Sequence, residues 1–512
     1  MELDPQQCYD ALCARDRRFD GRFFVGVSST GVYCRPVCAV RTPRREHCSF
    51  HPSAAAAEKA GFRPCLRCRP ELAPGWGLPD IPGRLAQAAA QLIGQGFLDH
   101  GGTEALAARV GVSSRHLRRL FRAEYGVSML ELAQTQRLLL AKQCLTQTAM
   151  PVADVALACG FGSVRRFHAA LRQRWGLRAQ QIRRDGAAAR TPGTLQLALG
   201  YRPPLAWQAW LDCAGAQAVA GVEQRHGARY TRSLRLRGRD GPCVGWLQAW
   251  EDAPRCTLRV QASANLAPLI SQLLDRLRRM FDVGASPSAI DARLGRLAAQ
   301  APGLRVPGSP DGFETLLRVL LRREGQAAPR LLAGLAELFT SAAERAALQG
   351  APQGLCRVLP DAATLADAGM AELLRCGLSA ATARTLSAAA REVAAGRIEL
   401  QPWAALEPTL QALRDLPGID EASVQWVAMQ ALGWPDAFAA DDPALQRACG
   451  CADAAVLLAQ AQCWRPWRAY AAMHLRLREL RAPESAPESA PVAAPRDATA
   501  DARAAYAAGV AS

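Results

Sequence analysis

Two pairs of cysteines near the N-terminus constrain the fold of this chain more than any other feature. The pairs stand in the stretches CRPVC and CLRC, and the four residues are Cys34, Cys38, Cys65 and Cys68. Each pair can approach a cation from one turn, so four thiolates at this spacing suit a tetrahedral zinc site in a small domain. His47, Cys48 and His51 lie between the pairs and are alternative ligands. From the spacing alone, a purely structural zinc ribbon is the simplest interpretation.

Positive charge is concentrated in the same part of the chain. Residues 1–190 contain 28 Lys and Arg against 15 Asp and Glu, whereas the remainder contains 34 against 31. Such a local excess is typical of nucleic-acid binding, and a solvated basic surface is the alternative. No apolar stretch is long enough for a membrane span, and the first residues lack the pattern of a signal peptide. We therefore expect a cytoplasmic protein that does not bind membranes.

Residues 82–184 contain an internal repeat. The copies, TEALAARVGVSSRHLRRLFRAEYGVS and VADVALACGFGSVRRFHAALRQRWGLR, each place a glycine four residues after a small residue, at Gly111 and Gly160. This pattern predicts two helix-turn-helix units, with Thr103 capping the first helix and Ser113 or Ser114 the second. The second helix of each unit would present six residues to the major groove: Arg115, His116, Arg119, Arg165, Arg166 and His168. An ordinary helical bundle with a basic face is the alternative.

The repeat resembles the paired helix-turn-helix domain of AraC-type regulators, most clearly in ALACGFGSVRRFHAALRQRWG. The resemblance implies that one chain inserts two helices into successive major-groove segments of a promoter operator. It also implies RNA polymerase as a partner, because regulators of this type act on transcription.

Most of residues 5–72, including GVYCRPVCAVRTPRREHCSF and RPCLRCRP, resembles the N-terminal zinc domain of Ada-type alkylation-response regulators. The resemblance implies that Cys34 accepts a methyl group from a methylated DNA phosphate, while Cys38, Cys65 and Cys68 complete the zinc site. Methylation would lower the formal charge of the site from −2 to −1, which would favour DNA binding. The Pro-Cys-His-Arg run of the second Ada methyltransferase domain does not occur here. Direct reversal of O6-methylguanine is therefore not expected.

The C-terminal half predicts two further domains. Alternating apolar residues followed by LAPLISQLLDRLRRMF predict a small α+β domain, and the segments after it predict a mostly helical one. The sequence LPGI, which contains Gly418, predicts a helix-hairpin-helix whose amides bind a DNA phosphate. Asp442 precedes Pro443 in FAADDPALQRA, where a simple N-cap is the structural alternative to a catalytic role.

About residues 194–480 resemble the AlkA branch of helix-hairpin-helix DNA glycosylases, including RMFDVGASPSAIDARLGRLAAQAPGLRVPGSPDGFE and WRPWRAYAAMHL. The resemblance implies that Asp442 is the catalytic carboxylate for excision of alkylated bases of the 3-methyladenine type, and that Trp426 and Arg476 line the base pocket. Bifunctional relatives use a lysine to cut the strand, but no lysine follows Lys142. The resemblance therefore implies a monofunctional enzyme.

Several positions depart from the glycosylase pattern. Asp420 replaces the second glycine of LPGIG, and Arg322 and Arg323 replace a Gly-Gln pair. Ala422 and Arg476 replace aromatic residues, and Arg476 adds positive charge where a cationic base would bind. The alternative to a working enzyme is a zinc-containing regulator whose glycosylase-like half only binds DNA.

Together these features predict a multidomain, mainly α protein with α+β parts. We expect a zinc and methyl-acceptor domain at 1–78 and a double helix-turn-helix domain at 82–184. An α+β domain at 192–305 and an all-α glycosylase domain at 306–481 follow, and the Pro/Ala-rich residues 482–512 predict a disordered tail. The expected cofactor is zinc, the expected partner is double-stranded DNA, and the expected location is the bacterial nucleoid.

Overall fold

The structure is a computed structural model that describes residues 4–75, 84–184, 193–238, 241–352 and 354–481. The predicted tail at 482–512 lies outside these ranges, as do the boundaries placed near residues 78–82 and 192. None of the helices within the described ranges combines the length and apolar content that a membrane crossing needs.

The N-terminal region is built on a four-stranded sheet. Its elements are α1 (Pro5–Cys13), β1 (Phe24–Val27), β2 (Val32–Cys34), β3 (Cys48–His51), α2 (Ala54–Lys59) and β4 (Arg63–Pro64). The strand order is β3-β1-β2-β4, with β1 antiparallel to both of its neighbours and β2 parallel to β4. Parallel strands end at the same edge of a sheet. Cys34 at the end of β2 and Cys65 directly after β4 therefore lie side by side.

The next region is helical and contains both predicted helix-turn-helix units. Its helices are α3 (Arg84–Gly94), α4 (Thr103–Arg109), α5 (Ser114–Tyr125), α6 (Met129–Gln147), α7 (Val152–Ala158), α8 (Val164–Trp175) and α9 (Ala179–Arg184). The turns contain Gly111 and Gly160 with φ of 76° and 80°, a conformation that favours glycine. Ser113 caps α5, but the prediction that Thr103 caps α4 is wrong. Gly102 is the cap, and the Thr103 hydroxyl donates to the Glu104 carboxylate instead of accepting from a backbone N–H.

A five-stranded antiparallel sheet forms the predicted α+β domain. The elements are β5 (Thr194–Gly200), α10 (Trp207–Gly215), β6 (Glu223–His226), β7 (Arg229–Gly238), β8 (Gly241–Asp252), β9 (Thr257–Ser263), α11 (Ile270–Met280) and α12 (Pro287–Leu294). The strand order is β5-β9-β8-β7-β6. Trp207 and Trp210 of α10 stack with ring centroids 5.0 Å apart, and both contact Phe281. This aromatic cluster joins α10 to the end of α11.

The last region is all-α, as predicted. Its helices are α13 (Gly312–Leu321), α14 (Ala328–Phe339), α15 (Ala342–Ala347), α16 (Ala362–Asp367), α17 (Met370–Arg375), α18 (Ala380–Ala394), α19 (Leu406–Arg414), α20 (Glu421–Gln430), α21 (Pro443–Cys449), α22 (Ala454–Gln460) and α23 (Arg468–Arg481). Helices α19 and α20 form the predicted hairpin. Gly418 between them has φ of 79°, and a Cβ atom there would lie 2.7 Å from Thr385 Oγ1. Only glycine fits this turn.

The regions share hydrophobic cores and are also joined by polar and backbone contacts. Ser271 Oγ donates to the carbonyl of Gly94 at 2.5 Å, and Gln95 Nε2 donates to Asp275 Oδ2 at 2.6 Å, which joins α3 to α11. Strand β5 approaches the N-terminal region so closely that a Cβ on Gly200 would lie 2.0 Å from the Leu72 carbonyl oxygen. Both N-terminal regions therefore contact the α+β domain.

Candidate metal centre, DNA-binding helices and base pocket

The four predicted zinc ligands meet at one edge of the N-terminal sheet. The backbone N–H of Cys65 donates to the Tyr33 carbonyl at 3.0 Å, which continues the β2–β4 pairing into the cluster. The Sγ atoms of Cys34, Cys38, Cys65 and Cys68 all lie within 4.8 Å of one another. Sulfur atoms around one tetrahedral zinc are ~3.8 Å apart, given a Zn–S bond of ~2.3 Å. The four thiols therefore fit a zinc ion, and within the described residues no other such cluster occurs.

The alternative ligands stand apart from this cluster. Cys48 lies on β3 and its Sγ donates to the carbonyl of Arg44 at 3.3 Å. The His51 ring hydrogen-bonds Ser49 at 2.9 Å, and the His47 ring lies 3.4 Å from Ser28 Oγ. None of the three alternatives therefore joins the candidate metal centre.

Backbone and charged groups support the cysteine cluster from outside. The Arg35 N–H donates to Cys68 Sγ at 3.4 Å, and Arg35 Nη1 donates to the Cys68 carbonyl at 3.1 Å. Arg35 is in turn held by an ion pair with Asp20. N–H groups that point at ligating sulfur orient the ligand and favour its thiolate form. Cys34, Cys38 and Cys65 are 6%, 4% and 7% exposed, so burial alone does not distinguish the predicted methyl acceptor.

The thiols in the cluster hydrogen-bond one another and thereby change their acidity. Hydrogen bonding with Cys34 lowers the pKa of Cys38 to about 7, and the same partner contributes most to lowering the pKa of Cys65. Hydrogen bonding with Cys38 conversely raises the pKa of Cys34. A cation held by four thiolates would replace the protons that these groups share.

A buried carboxylate connects the N-terminal domain to both helix-turn-helix units. Glu58 of α2 accepts hydrogen bonds from the Tyr33 hydroxyl at 3.1 Å, from the Thr135 hydroxyl at 2.8 Å and from Trp175 Nε1 at 3.0 Å. Arg174 Nη1 lies 3.4 Å from the same carboxylate. Burial raises the pKa of Glu58 above its usual value. Because Tyr33 directly precedes Cys34, Glu58 links the metal centre to α6 and α8.

A second buried link uses one of the two lysines in the chain. Lys142 of α6 is paired with Glu71, and its Nζ also donates to the Cys65 carbonyl at 3.3 Å. Both side chains are about 1% exposed. Burial acts to raise the pKa of Glu71, but the charges of Lys142 and Arg69 and the hydrogen bond from Lys142 together outweigh it and leave the pKa below its usual value. Helix α6, which joins the two helix-turn-helix units, thus touches a candidate metal ligand.

The six predicted DNA-binding residues lie on the second helix of each unit. The four arginines, Arg115, Arg119, Arg165 and Arg166, are exposed. His116 and His168 are half-buried: His116 Nδ1 lies 3.3 Å from Arg119 Nη2, and the His168 ring packs on Phe167. Helices α5 and α8 therefore each present a basic surface.

The predicted catalytic carboxylate lies at the start of α21. Asp442 is 8% exposed and caps this helix by accepting a hydrogen bond from the Ala444 N–H at 2.9 Å. The N-cap role that the sequence suggests as the alternative to catalysis is therefore present. Its other oxygen accepts from Trp426 Nε1 at 2.8 Å and from Arg322 Nη2 at 2.9 Å. One carboxylate therefore caps a helix and also reaches the predicted base pocket.

Two arginines lie over the aromatic residue of this pocket. The Arg322 Cζ atom is 4.3 Å from the Trp426 ring centroid, and the Arg476 Cζ atom is 5.8 Å from it. Burial lowers the pKa of Arg322 to about 10 and also lowers the pKa of Arg476. The adjoining cavity has a volume of about 50 Å³ and is lined by both arginines, Trp426 and Met473. Arg322 thus occupies the space over the ring.

Residues of the helix-hairpin-helix that differ from the glycosylase pattern lie at or near the surface. Asp420 caps α20 by accepting from the Ser423 N–H at 2.8 Å, which explains an acid in place of glycine. Arg323 donates to the Gly418 carbonyl and lies 3.7 Å from Asp420. Ala422 packs at the edge of the core.

Three contacts of these sites escaped sequence reasoning. The ion pair between Arg322 and Asp442 joins residues 120 positions apart, and the sequence marks Arg322 only as a departure from the glycosylase pattern. Glu58 stands in an alanine-rich helix that gives no sign of burial. The one signal for Lys142 in the sequence is that the chain contains only two lysines.

Three family models match the chain. The metal binding domain of Ada matches residues 7–71, a helix-turn-helix domain matches 106–185, and the AlkA N-terminal domain matches 196–311. The first match and the cluster of four thiols confirm the prediction of zinc as the cofactor.

Curated relatives match over long stretches. The probable bifunctional transcriptional activator/DNA repair enzyme AlkA of Mycobacterium tuberculosis is 33% identical over 495 residues, which cover 93% of this chain and 96% of the relative. DNA-3-methyladenine glycosylase 2 of Escherichia coli is 30% identical over 56% of this chain and 99% of its own length. The bifunctional transcriptional activator/DNA repair enzyme Ada of Escherichia coli is 33% identical over 36% of this chain and 50% of its own length.

Proposed function

Because this chain belongs to the family of bifunctional AlkA-type transcriptional activator/DNA repair enzymes, we propose that it senses DNA methylation and also removes damaged bases. The sensor is Cys34, the response is operator binding by the two helix-turn-helix units, and base excision takes place at Asp442. The observation that carries the sensor role is the position of Cys34 within a cluster of four thiols.

Methyl transfer at Cys34 is a single displacement. The Cys34 sulfur forms a bond to the methyl carbon of a DNA methylphosphotriester, the methyl carbon–oxygen bond breaks, and the electron pair remains on the phosphate oxygen. Bound zinc would keep the thiols deprotonated near neutral pH. The product is a thioether and an ordinary phosphodiester, so each chain reacts once. Methylation also removes one negative charge from the cluster, which lowers its repulsion of DNA phosphates.

Transfer to Cys34 is testable by peptide mass spectrometry. The protein is incubated with duplex DNA that carries methylphosphotriesters, and we expect the mass of one methyl group on the Cys34 peptide and on no other cysteine peptide. Cys48→Ala is the matched control, because Cys48 is buried in the same domain but lies outside the cluster. Methylation at another cysteine, or none in a zinc-loaded protein, would exclude this sensor role.

Base excision at Asp442 is supported by a buried carboxylate beside an indole ring. As the bond between the sugar C1′ and the base breaks, positive charge develops on the sugar, and a nearby carboxylate stabilises it or accepts a proton from the attacking water. N-methylated purines such as 3-methyladenine leave readily, because they already carry positive charge. No lysine follows Lys142, so we propose base removal without strand cleavage.

Release of 3-methyladenine from methylated duplex DNA tests this proposal. The expected result is release by the wild type, loss of release in Asp442→Asn, and intact strands until alkali is added. A folded, zinc-loaded protein that releases nothing would favour the rival function, a regulator whose C-terminal half only binds DNA. RNA polymerase is the proposed partner of the activator, testable by transcription from an operator-containing promoter.

A further inference from the structure

Three of the 17 cysteines meet around one glutamine beyond the end of α21. The Sγ atoms of Cys449 and Cys451 both donate to Oε1 of Gln460, at 3.1 and 3.4 Å. Cys463 Sγ donates to the backbone carbonyl of the same glutamine at 3.1 Å. The group lies at the opposite end of α21 from Asp442. It is therefore separate from the proposed site of base excision and from the four thiols near the N-terminus.

The backbone at Gly450 places Cys449 and Cys451 at a separation that suits a disulfide. Gly450 has φ of 66° and ψ of 30°, the mirror image of right-handed helical backbone. A residue with these angles holds the Cα atoms of its two neighbours about 5.4 Å apart, as in an α-helix. Cα atoms joined through a disulfide are ~4.4–6.8 Å apart. Since both thiols also point at one oxygen, bonding between them requires side-chain rotation but no movement of the backbone.

The two thiols differ in exposure, and this difference sets the order in which they react. Cys449 is 1% exposed, and burial raises its pKa to about 12, with smaller contributions from the neighbouring Cys451 thiol. Cys451 is only partly buried. Reaction with a dissolved oxidant requires access to solvent as well as the thiolate form. Cys451 is therefore the thiol that an oxidant meets first.

We propose that Cys449 and Cys451 form a reversible disulfide, with a low-molecular-weight disulfide as the oxidant. The Cys451 sulfur attacks one sulfur of the oxidant, the sulfur–sulfur bond of the oxidant breaks, and the departing thiolate takes up the proton that Cys451 lost. The Cys449 sulfur then attacks Cys451, and the second small thiol leaves in the same way. Two protein thiols are thus oxidised while one small disulfide is reduced to two thiols.

The small size of the ring favours reversal by a reducing thiol. A disulfide that closes a short loop stabilises a protein less than one that closes a long loop, and only Gly450 separates these cysteines. Oxidation also removes both thiol donors from Gln460 Oε1. The inference goes beyond the proposed function, because it depends on neither methyl transfer nor base excision.

The test exposes the full-length, zinc-loaded protein to mixtures of reduced and oxidised glutathione, and free thiols are then alkylated for peptide mass spectrometry. Oxidised glutathione is increased until the exposed Cys356 carries glutathione, which shows that the oxidant has reacted. We expect a disulfide between Cys449 and Cys451, an alkylated Cys463, and complete loss of the disulfide after dithiothreitol. Free thiols at both Cys449 and Cys451 under these conditions would overturn the inference.

Two variants identify the partners in the disulfide. Cys463→Ser should keep the disulfide, whereas Cys451→Ser should lose it. Cys451 is replaced rather than Cys449 because its side chain is only partly buried, and circular dichroism checks that the variant remains folded. A disulfide that includes Cys463, or one that persists in Cys451→Ser, would contradict the assignment.

Discussion

Arg322 donates a hydrogen bond from Nη2 to Oδ2 of Asp442 at 2.9 Å. The same guanidinium stacks on Trp426, which donates to the same carboxylate oxygen. The proposed catalytic group is thus already paired with a cation when no base is present. In the proposed excision, a base that stacks on Trp426 would have to displace Arg322, so the position of Arg322 would govern access to both the indole ring and the carboxylate.

Asp442→Ala should destabilise the helical region through three losses. The cap of α21 disappears, which costs about 1 kcal/mol, and each of the donors on Arg322 and Trp426 loses its acceptor at about 1–3 kcal/mol. We expect a total of roughly 3–7 kcal/mol, measured by urea denaturation with tryptophan fluorescence. The Asp442→Asn variant keeps a hydrogen-bond acceptor, so its free energy of unfolding should fall by less than half as much. Equal losses in the two variants would contradict the contacts described for Asp442.

Glu58→Ala should weaken the contact between the N-terminal domain and the helix-turn-helix units. Three donors, on Tyr33, Thr135 and Trp175, lose a buried acceptor, and buried groups without partners are costly. We expect a destabilisation of at least about 3 kcal/mol and faster hydrogen exchange at the Trp175 indole. Glu104→Ala is the control, because Glu104 pairs with Arg118 on the surface, and it should leave exchange at Trp175 unchanged. Unchanged exchange in Glu58→Ala would show that this link contributes little.

His474 should make the helical region sensitive to acid. Burial lowers the pKa of His474 to about 4 from an unfolded value of 6.5, so the folded state binds its proton less readily than the unfolded state does. The resulting loss of stability begins as the pH falls below about 6.5 and is complete below about 4. His474→Leu cannot take up this proton. The melting temperature of His474→Leu minus that of the wild type should therefore increase as the pH falls from 7 to 4. A difference that stays constant over this pH range would contradict the lowered pKa of His474.

Arg115→Ala and Arg166→Ala should each reduce operator affinity. Both arginines are exposed on the second helix of a helix-turn-helix unit. Loss of a contact with a base costs about 1–3 kcal/mol of binding free energy. Loss of a contact with a phosphate lowers the slope of log affinity against log salt concentration by about 1. Fluorescence anisotropy at several salt concentrations measures both effects, with an operator selected from a random duplex library. Arg118→Ala, on α5 but paired with Glu104, is the control. An equal loss of affinity in Arg118→Ala and Arg115→Ala would contradict the proposed DNA contact of Arg115.

Local features of the fold and the sites could be predicted from the sequence, whereas contacts between distant side chains could not. The zinc ligands occur in two short pairs, and Gly111 and Gly160 mark turns that only a positive φ permits. By contrast, Arg322, the partner of Asp442, lies 120 residues away, directly after α13. The periodicity of the sequence does not predict such a contact. The cap of α4 was misassigned because Gly and Thr are both acceptable caps and the choice between Gly102 and Thr103 depends on backbone geometry.

Operator affinity before and after methylation of Cys34 shows whether this cysteine controls DNA binding. The wild-type protein is treated with methylphosphotriester DNA, the methylated fraction is measured by mass spectrometry, and the dissociation constant for the selected operator is determined at fixed salt. We predict that affinity rises in proportion to the methylated fraction and that the zinc content does not change. Equal affinity of the methylated and unmethylated protein would contradict the proposal that Cys34 controls DNA binding.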